Sequence, residues 1–488
     1  MFRTAPITAL LAAGLALPAT AEITADEVWQ SWQDASSPGV RIDAASETRE
    51  GDVLRLEGVT ARFGERGAEN TALIDWVELA DQDDGTVRVS SAPLYRLRME
   101  QVATENVEGT VVEGSLRHDG AVTTIAREDE VFTYETQAPE IVVLVEDIPS
   151  SDTGATTDAT MTLTDLTLHT RDAVQDATSR TEIDASSVAL DIQGEEPDTT
   201  YSLTARFEGF EGTTVDLLGA LARRDAADAP MAPEFSAEMS HQGSSTRLDM
   251  SSLDGDSRIE TQSGSGQIGI TSADGMGRYR AESDAVTLSV SGPQVPVSDL
   301  SAEIDRVALS LGMPLVPTEE PKDFDVSYDL TGVTVSEQVW NLVDPTGALP
   351  RDPATLAIEA TGQSRLTRSL ANTPEVGGAD QIVALTSLDI DRILLDAVGL
   401  VLTGDGSLDF DDGPGQLEPE GEIALRLEGG NGLLDTLLEA GLFPPGQILA
   451  MRTGLGMFSR PGEGEDVVES TIRFLGDGGI EVNGTRIR

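Results

Sequence analysis

Three histidines, no cysteine and a single lysine bound the chemistry open to this 488-residue chain. A zinc centre needs three or four converging nitrogen, sulfur or oxygen ligands, but His118, His169 and His241 are separated by long stretches and no H-E-x-x-H pair exists. Without cysteine there is no thiol nucleophile, no thiolate ligand and no disulfide. A serine nucleophile needs a base and an oriented turn. The G-x-S-x-G elbow is absent, and Ser263-Gly264-Ser265-Gly266 lacks its spacing and reads as turn material. Nor is there a G-x-x-x-x-G-K-[ST] phosphate cradle, since Lys322 follows Pro321. Pairing two carboxylates for glycoside hydrolysis carries no information in a chain with 86 acids.

The acidic turns suggest one sharper chemistry. Asp81, Asp83 and Asp84 precede Gly85, and Asp409, Asp411 and Asp412 precede Gly413, spacings at which carboxylates can gather around calcium. A complete EF-hand loop needs a distal glutamate, and the twelfth position counted from Asp81 is Ala92. The turns therefore read first as solvated hairpin ends. No catalytic, cofactor-binding or metal residue is assigned, and the chain reads as something other than an enzyme.

What would position such residues is mostly strand. At the N-terminus, Arg3 precedes an apolar run from Ile7 to Leu17 that ends in an A-x-A-like site at Ala21. This predicts a cleaved export signal over 1–21 and a periplasmic location with no membrane span in the mature chain. The formal charge of −54 is spread along the whole sequence. It excludes charge-driven binding to nucleic acid or anionic headgroups, because approach would begin against a repulsive field.

After the signal, Thr24 and Glu27 form a capping box, Ile23 and Val28 a hydrophobic staple, and Trp29 and Trp32 share a helix face that should plug one end of a core. The period then changes to two. Val188, Leu190 and Ile192 alternate with polar or small residues, as do Val307, Leu309 and Leu311, and Phe324, Val326, Tyr328 and Leu330. Leu356, Ile358 and Ala360, then Ile423, Leu425 and Leu427, continue the pattern. Asp84-Gly85, Asp119-Gly120, Asp254-Gly255, Asp274-Gly275, Asp405-Gly406, Asp477-Gly478 and Asn483-Gly484 are placed as hairpin turns between such runs. Helical interruptions are expected at Thr213 to Ala227, Ser336 to Val343, Asn431 to Ala440 and through Ile448 to Phe458.

Two resemblances add to this reading. Val339-Trp340-Asn341-Leu342-Val343-Asp344-Pro345, then Leu349-Pro350-Arg351-Asp352-Pro353, Gly429-Gly430-Asn431-Gly432-Leu433 and Gly456-Met457-Phe458-Ser459-Arg460-Pro461, resemble the alphaproteobacterial domain-of-unknown-function family 2125. Val28-Trp29-Gln30-Ser31-Trp32 fits it too, so the likeness spans most of the chain; it implies no activity. Leu402 to Phe410 and the closing Gly478 to Gly484 resemble strand-turn phrases of AsmA-like envelope proteins. That likeness implies a long curved antiparallel sheet with an apolar groove.

The expected fold is mainly β: an extended, curved antiparallel sheet with a few short helices at the N-terminus and in the C-terminal part. The expected organisation is a signal peptide over 1–21, an N-terminal helix with a β region over 22–230, a middle β region over 231–313, and a C-terminal β region with short helices over 314–488. The expected function is that of a periplasmic binding or scaffolding protein of the cell envelope, contacting lipid or an envelope protein. An envelope glycan or ester hydrolase and a calcium-stabilised surface β-protein are the alternatives.

Overall fold

A computed structural model describes residues 22–34, 40–63, 70–101, 110–128, 131–149, 156–173, 178–196, 198–217, 233–296, 300–366, 383–410 and 418–488. The expected signal over 1–21 lies outside them. The first helix, α1 (Ala25–Asp34), forms as its sequence demands. The Thr24 amide donates to Glu27 Oε2 at 3.0 Å and the Glu27 amide to Thr24 Oγ1 at 3.3 Å, closing the capping box. Ile23 and Val28 are both buried, with Trp29, against Leu54, Leu56, Val77, Leu79, Val87 and Ile125. The Ala25 amide donates to Asp81 Oδ1 at 2.6 Å and the Trp29 indole to Glu47 Oε1 at 3.0 Å, so α1 is pinned to the first strands by polar as well as apolar contacts.

Among the described residues, the strands form one 27-stranded antiparallel sheet. Its longest strands, Val131–Pro149, Thr156–Ala173, Thr178–Glu196 and Thr199–Val215, are paired successively along their length. Pairing continues without interruption past 230/231, where Thr199–Val215 meets Phe235–His241, and past 313/314, where Leu300–Pro314 meets Lys322–Val335.

Several shorter strands run end to end along one long partner. Thr110–Asp119 and Val122–Glu128 both pair with Val131–Pro149, and Phe235–His241 and Gly243–Ser252 both pair with Thr199–Val215. The breaks between them coincide with irregular positions on neighbouring strands, forming a seam that crosses the sheet. Gly58, Gly120, Asp165, Gly209, Ala285 and Gly332 all lie on it with positive φ. Such positions act as bulges, which bend a strand and sharpen its twist. At Gly332 the requirement is double: φ is +70°, and an added Cβ would come 2.1 Å from Asp305 Oδ2.

The seam corrects one expectation. Asp119-Gly120 is no hairpin turn, because the strands on either side of it continue in one line along Val131–Pro149. Asp405-Gly406 is no turn either: it lies inside the strand Leu400–Phe410, where an added Cβ at Gly406 would come 2.5 Å from the Glu422 carbonyl oxygen. Glycine serves close backbone approach there. The other five dipeptides do lie at turns between strands; for example, Ser252 pairs with Gly255 and Ala273 with Met276. The helix expected from Thr213 is also corrected at its start: Thr213 to Val215 extend the ladder opposite Arg180 to Glu182, because strand pairing on both sides outweighs the local 3.6 period. Residues 218–227 of that expectation lie outside the described residues.

Among the described residues, three helices interrupt the C-terminal part: α2 (Glu337–Val343), α3 (Gly430–Glu439) and α4 (Pro445–Phe458). They sit in connections at one end of the strands, after Val335 and after Glu428. Asp466 holds the start of α3, accepting from the Asn431 amide at 3.1 Å and the Gly432 amide at 2.8 Å. At the end of α2 the fully buried Asp344 accepts from the Leu349 amide and the Thr346 hydroxyl, both at 2.8 Å.

The Leu349 amide, supported by the Ala348 amide, the Thr346 hydroxyl and the Arg351 guanidinium and opposed by burial, holds the Asp344 carboxyl at about 2. A carboxyl depressed below its ordinary 3.8 stabilises the fold above that value, and the contribution disappears as pH falls through about 2. Asp344→Asn is therefore expected to melt below the parent at neutral pH. Thermal scans should show the gap closing between pH 3.8 and about 2.

Candidate functional site

The period-two pattern and the ladder registers together sort the side chains onto two faces. One register row runs Ile183, Gly212, Met239, Ile268, Ala281, Leu309, Tyr328, Ile358, Ile393, Gly404 and Leu425 across eleven strands. Its neighbour runs Ala237, Ile270, Tyr279, Leu311, Val326, Ala360, Ile390, Gly406, Ile423 and Ile472. Every member is apolar, glycine or tyrosine. At about 4.8 Å per strand the first row is roughly 48 Å long.

The opposite face is charged. Arg306 and Glu282 lie 2.7 Å apart, Arg392 and Glu359 3.1 Å, Arg258 and Asp249 2.6 Å, and Arg247 and Glu260 2.6 Å. Exposed pairs of this kind add little stability, at most about 1 kcal/mol each, but they keep that face in water. The apolar face has no such reason to be wet, yet Met161, Ile268, Ile270, Leu311 and Ile358 stay 37–41% exposed on it. Among the described residues, α1 covers it at the N-terminal end.

The histidines do not assemble a catalytic site. His169 is exposed, His118 is buried and His241 is half-buried, so none of them stands with a second histidine. His118 is 6% exposed, with Ser91 Oγ 3.2 Å from its Nε2. That is hydrogen-bond reach for a serine and its base, but the tautomer is wrong. The Ala121 amide donates to Nδ1 at 3.2 Å, so Nε2 carries the proton and donates to the Ala92 carbonyl at 3.0 Å. A protonated Nε2 cannot take the serine proton. His118 instead ties together two breaks of the seam, at 92–93 and 120–121. His241 turns onto the apolar face, its ring 5.4 Å from Phe207, and burial lowers its pKa from the usual value.

Two clefts open on the charged side. One, of about 840 Å³, is lined by His169, Glu182, Asp184, Glu211, Glu238, Ser240, Arg278 and Arg280 among others; the second, of about 610 Å³, includes Asp249, Asp256 and Arg258. His169 and Ser240 share the first cleft but stand three strands apart, about 14 Å, beyond any proton transfer between them. The acidic turn at 81–84 is spent on structure: Asp81 holds the Ala25 amide and pairs with Arg49, and Asp84 accepts from the Thr86 amide at 3.1 Å and hydroxyl at 2.7 Å. Of the second acidic cluster, Asp411 and Asp412 lie outside the described residues.

Among the described residues no helix is long and apolar enough to cross a membrane. Residues 251–487 match the family model described as "Uncharacterized protein conserved in bacteria (DUF2125)", so the resemblance read from the phrases around Trp340 and Met457 holds over the C-terminal half. No curated protein and no solved structure matches the chain.

Proposed function

We propose that the chain is a periplasmic binding protein of the cell envelope that holds the acyl chains of lipids against its apolar sheet face. The observation that carries the reading is the pair of apolar register rows left open beside an opposite face covered with ion pairs. Burying apolar area is worth about 25 cal/mol per Å², is non-directional and asks for no catalytic group, which agrees with a site that offers none. Length agrees as well. A bilayer leaflet holds about 15 Å of hydrocarbon, half of a 30 Å core, so a row of roughly 48 Å takes several chains placed end to end. Export by the 1–21 segment would deliver the protein to a compartment bounded by two membranes, and the AsmA-like strand-turn phrases point the same way.

The test is native mass spectrometry on protein released gently from the periplasm, before and after organic extraction. A removable adduct of phospholipid mass is the expected result. A clean apoprotein mass at the first step removes the lipid reading and leaves a scaffold that docks protein on the same face.

A further inference from the structure

The exposed large apolar side chains fall into two groups. Five lie on the sheet face already described; most of the others, including Leu342, Val343, Phe443, Leu449, Met457 and Phe458, lie on or beside α2, α3 and α4 at one end of the strands. We propose that this helical rim seats the protein on the surface of a zwitterionic phospholipid bilayer.

Charge is the first argument. In a chain of net −54, the 29 residues from Gly430 to Phe458 carry only Asp435, Glu439 and Arg452, and Arg452 pairs with Asp435. In α2 and the loop after it, Glu337 pairs with Arg351, whose guanidinium also lies 5.4 Å from the Trp340 ring centroid, and Asp344 is buried in its own turn. Asp352 and Glu439 remain as exposed acids, so the rim is poorer in acid than the rest of the surface rather than free of it. It lacks the basic residues that would select anionic headgroups.

Angular spread is the second. A helix that docks in a protein groove presents a stripe. At about 100° per residue, Met457, Phe458 and Met451 lie about 80°, 180° and 200° round α4 from Leu449, so the exposed apolar residues take up more than half of its circumference. A fluid acyl layer accepts such a surface, whereas a protein groove does not. The buried Ile448 holds the remaining side.

Continuity is the third. Leu427, which belongs to the apolar sheet face through its pairing with Leu402, and Leu455 of α4 both approach Gly430. The rim therefore adjoins the sheet face, and an acyl chain leaving the bilayer there would meet apolar side chains. The membrane seat does not require that the sheet carry lipid.

Vesicle pelleting tests it, with phosphatidylcholine vesicles and the mature chain. The parent is expected to pellet, Leu449→Glu/Met457→Glu to stay in the supernatant, and Leu253→Glu, a still more exposed site at a turn eight strands along the ladder from the strand that precedes α3, to pellet like the parent. Both rim residues are about two-thirds exposed, so circular dichroism of the double variant should match the parent. Because the chain has no cysteine, Met457→Cys carries an environment-sensitive dye at one site, and its emission should shift to the blue on vesicles while a Leu253→Cys label stays unshifted. A parent that stays in the supernatant, a double variant that still pellets, or a Met457 label that does not respond would each overturn the proposal. Native mass spectrometry on the double variant separates the two readings, since a retained lipid adduct leaves the sheet face standing whether or not the rim binds.

Discussion

Ile270→Glu combined with Leu311→Glu is expected to reduce bound lipid by about 5- to 60-fold or more while leaving the fold intact. The two residues flank Tyr279 in one register row, and each already stands open to water in the free protein. Their exposure makes the variant readable: surface changes of this kind usually alter stability within about 0.5 kcal/mol. The cost falls on the complex instead. Fully burying an aliphatic side chain is worth about 1.5–3 kcal/mol, and these two have 41% and 37% of their surface still open, so losing both contacts removes roughly 1–2.5 kcal/mol of binding, about 5- to 60-fold at 1.4 kcal/mol per tenfold. Two carboxylates facing hydrocarbon add to the loss. Ser310→Glu is the control, because it adjoins Leu311 in sequence while its side chain points to the charged face. The adduct should survive there. An adduct unchanged in the double variant would place the lipid elsewhere on the molecule.

The rows were legible in the sequence wherever alternation is clean, as in Phe324, Val326, Tyr328 and Leu330, because a strand with one apolar face must repeat every second residue. Their openness was not legible. Alternation says that a face is apolar but not whether a second layer covers it, and that depends on contacts distant in sequence. The seam was misread for a related reason: Asp119-Gly120 carries hairpin chemistry, since both residues tolerate a left-handed backbone, but the same tolerance serves a bulge between collinear strands. Only the long partner Val131–Pro149 distinguishes the two. His118 shows the same limit, since its burial is set by the breaks at 92–93 and 120–121 that it joins. The N-terminal helix was legible throughout, because its capping box and staple are local and each was found in contact.

That helix carries the largest stability effect. Trp29→Ala is expected to destabilise the N-terminal end of the sheet by about 3–5 kcal/mol, the range for deleting a buried large aromatic. Ten residues are too few to hold an isolated helix in water, so α1 owes its existence to the apolar contacts of Val28 and Trp29 and to its ties to Asp81 and Glu47. Truncating Trp29 removes its volume and the indole N–H that satisfies Glu47 in one change. Trp29→Phe removes the hydrogen bond but keeps most of the volume, and should cost less. Because each strand pairs mainly with its neighbours, the damage should stay local rather than unfold the chain from end to end. Hydrogen exchange then gives the decisive reading: amides of residues 25–34 and of the strands Val53–Phe63 and Asn70–Asp81 should lose protection, while those of Val467–Leu475 keep theirs. Uniform loss along the sheet would instead mean that α1 nucleates the entire ladder, and unchanged exchange would mean that the first strands hold their core without it.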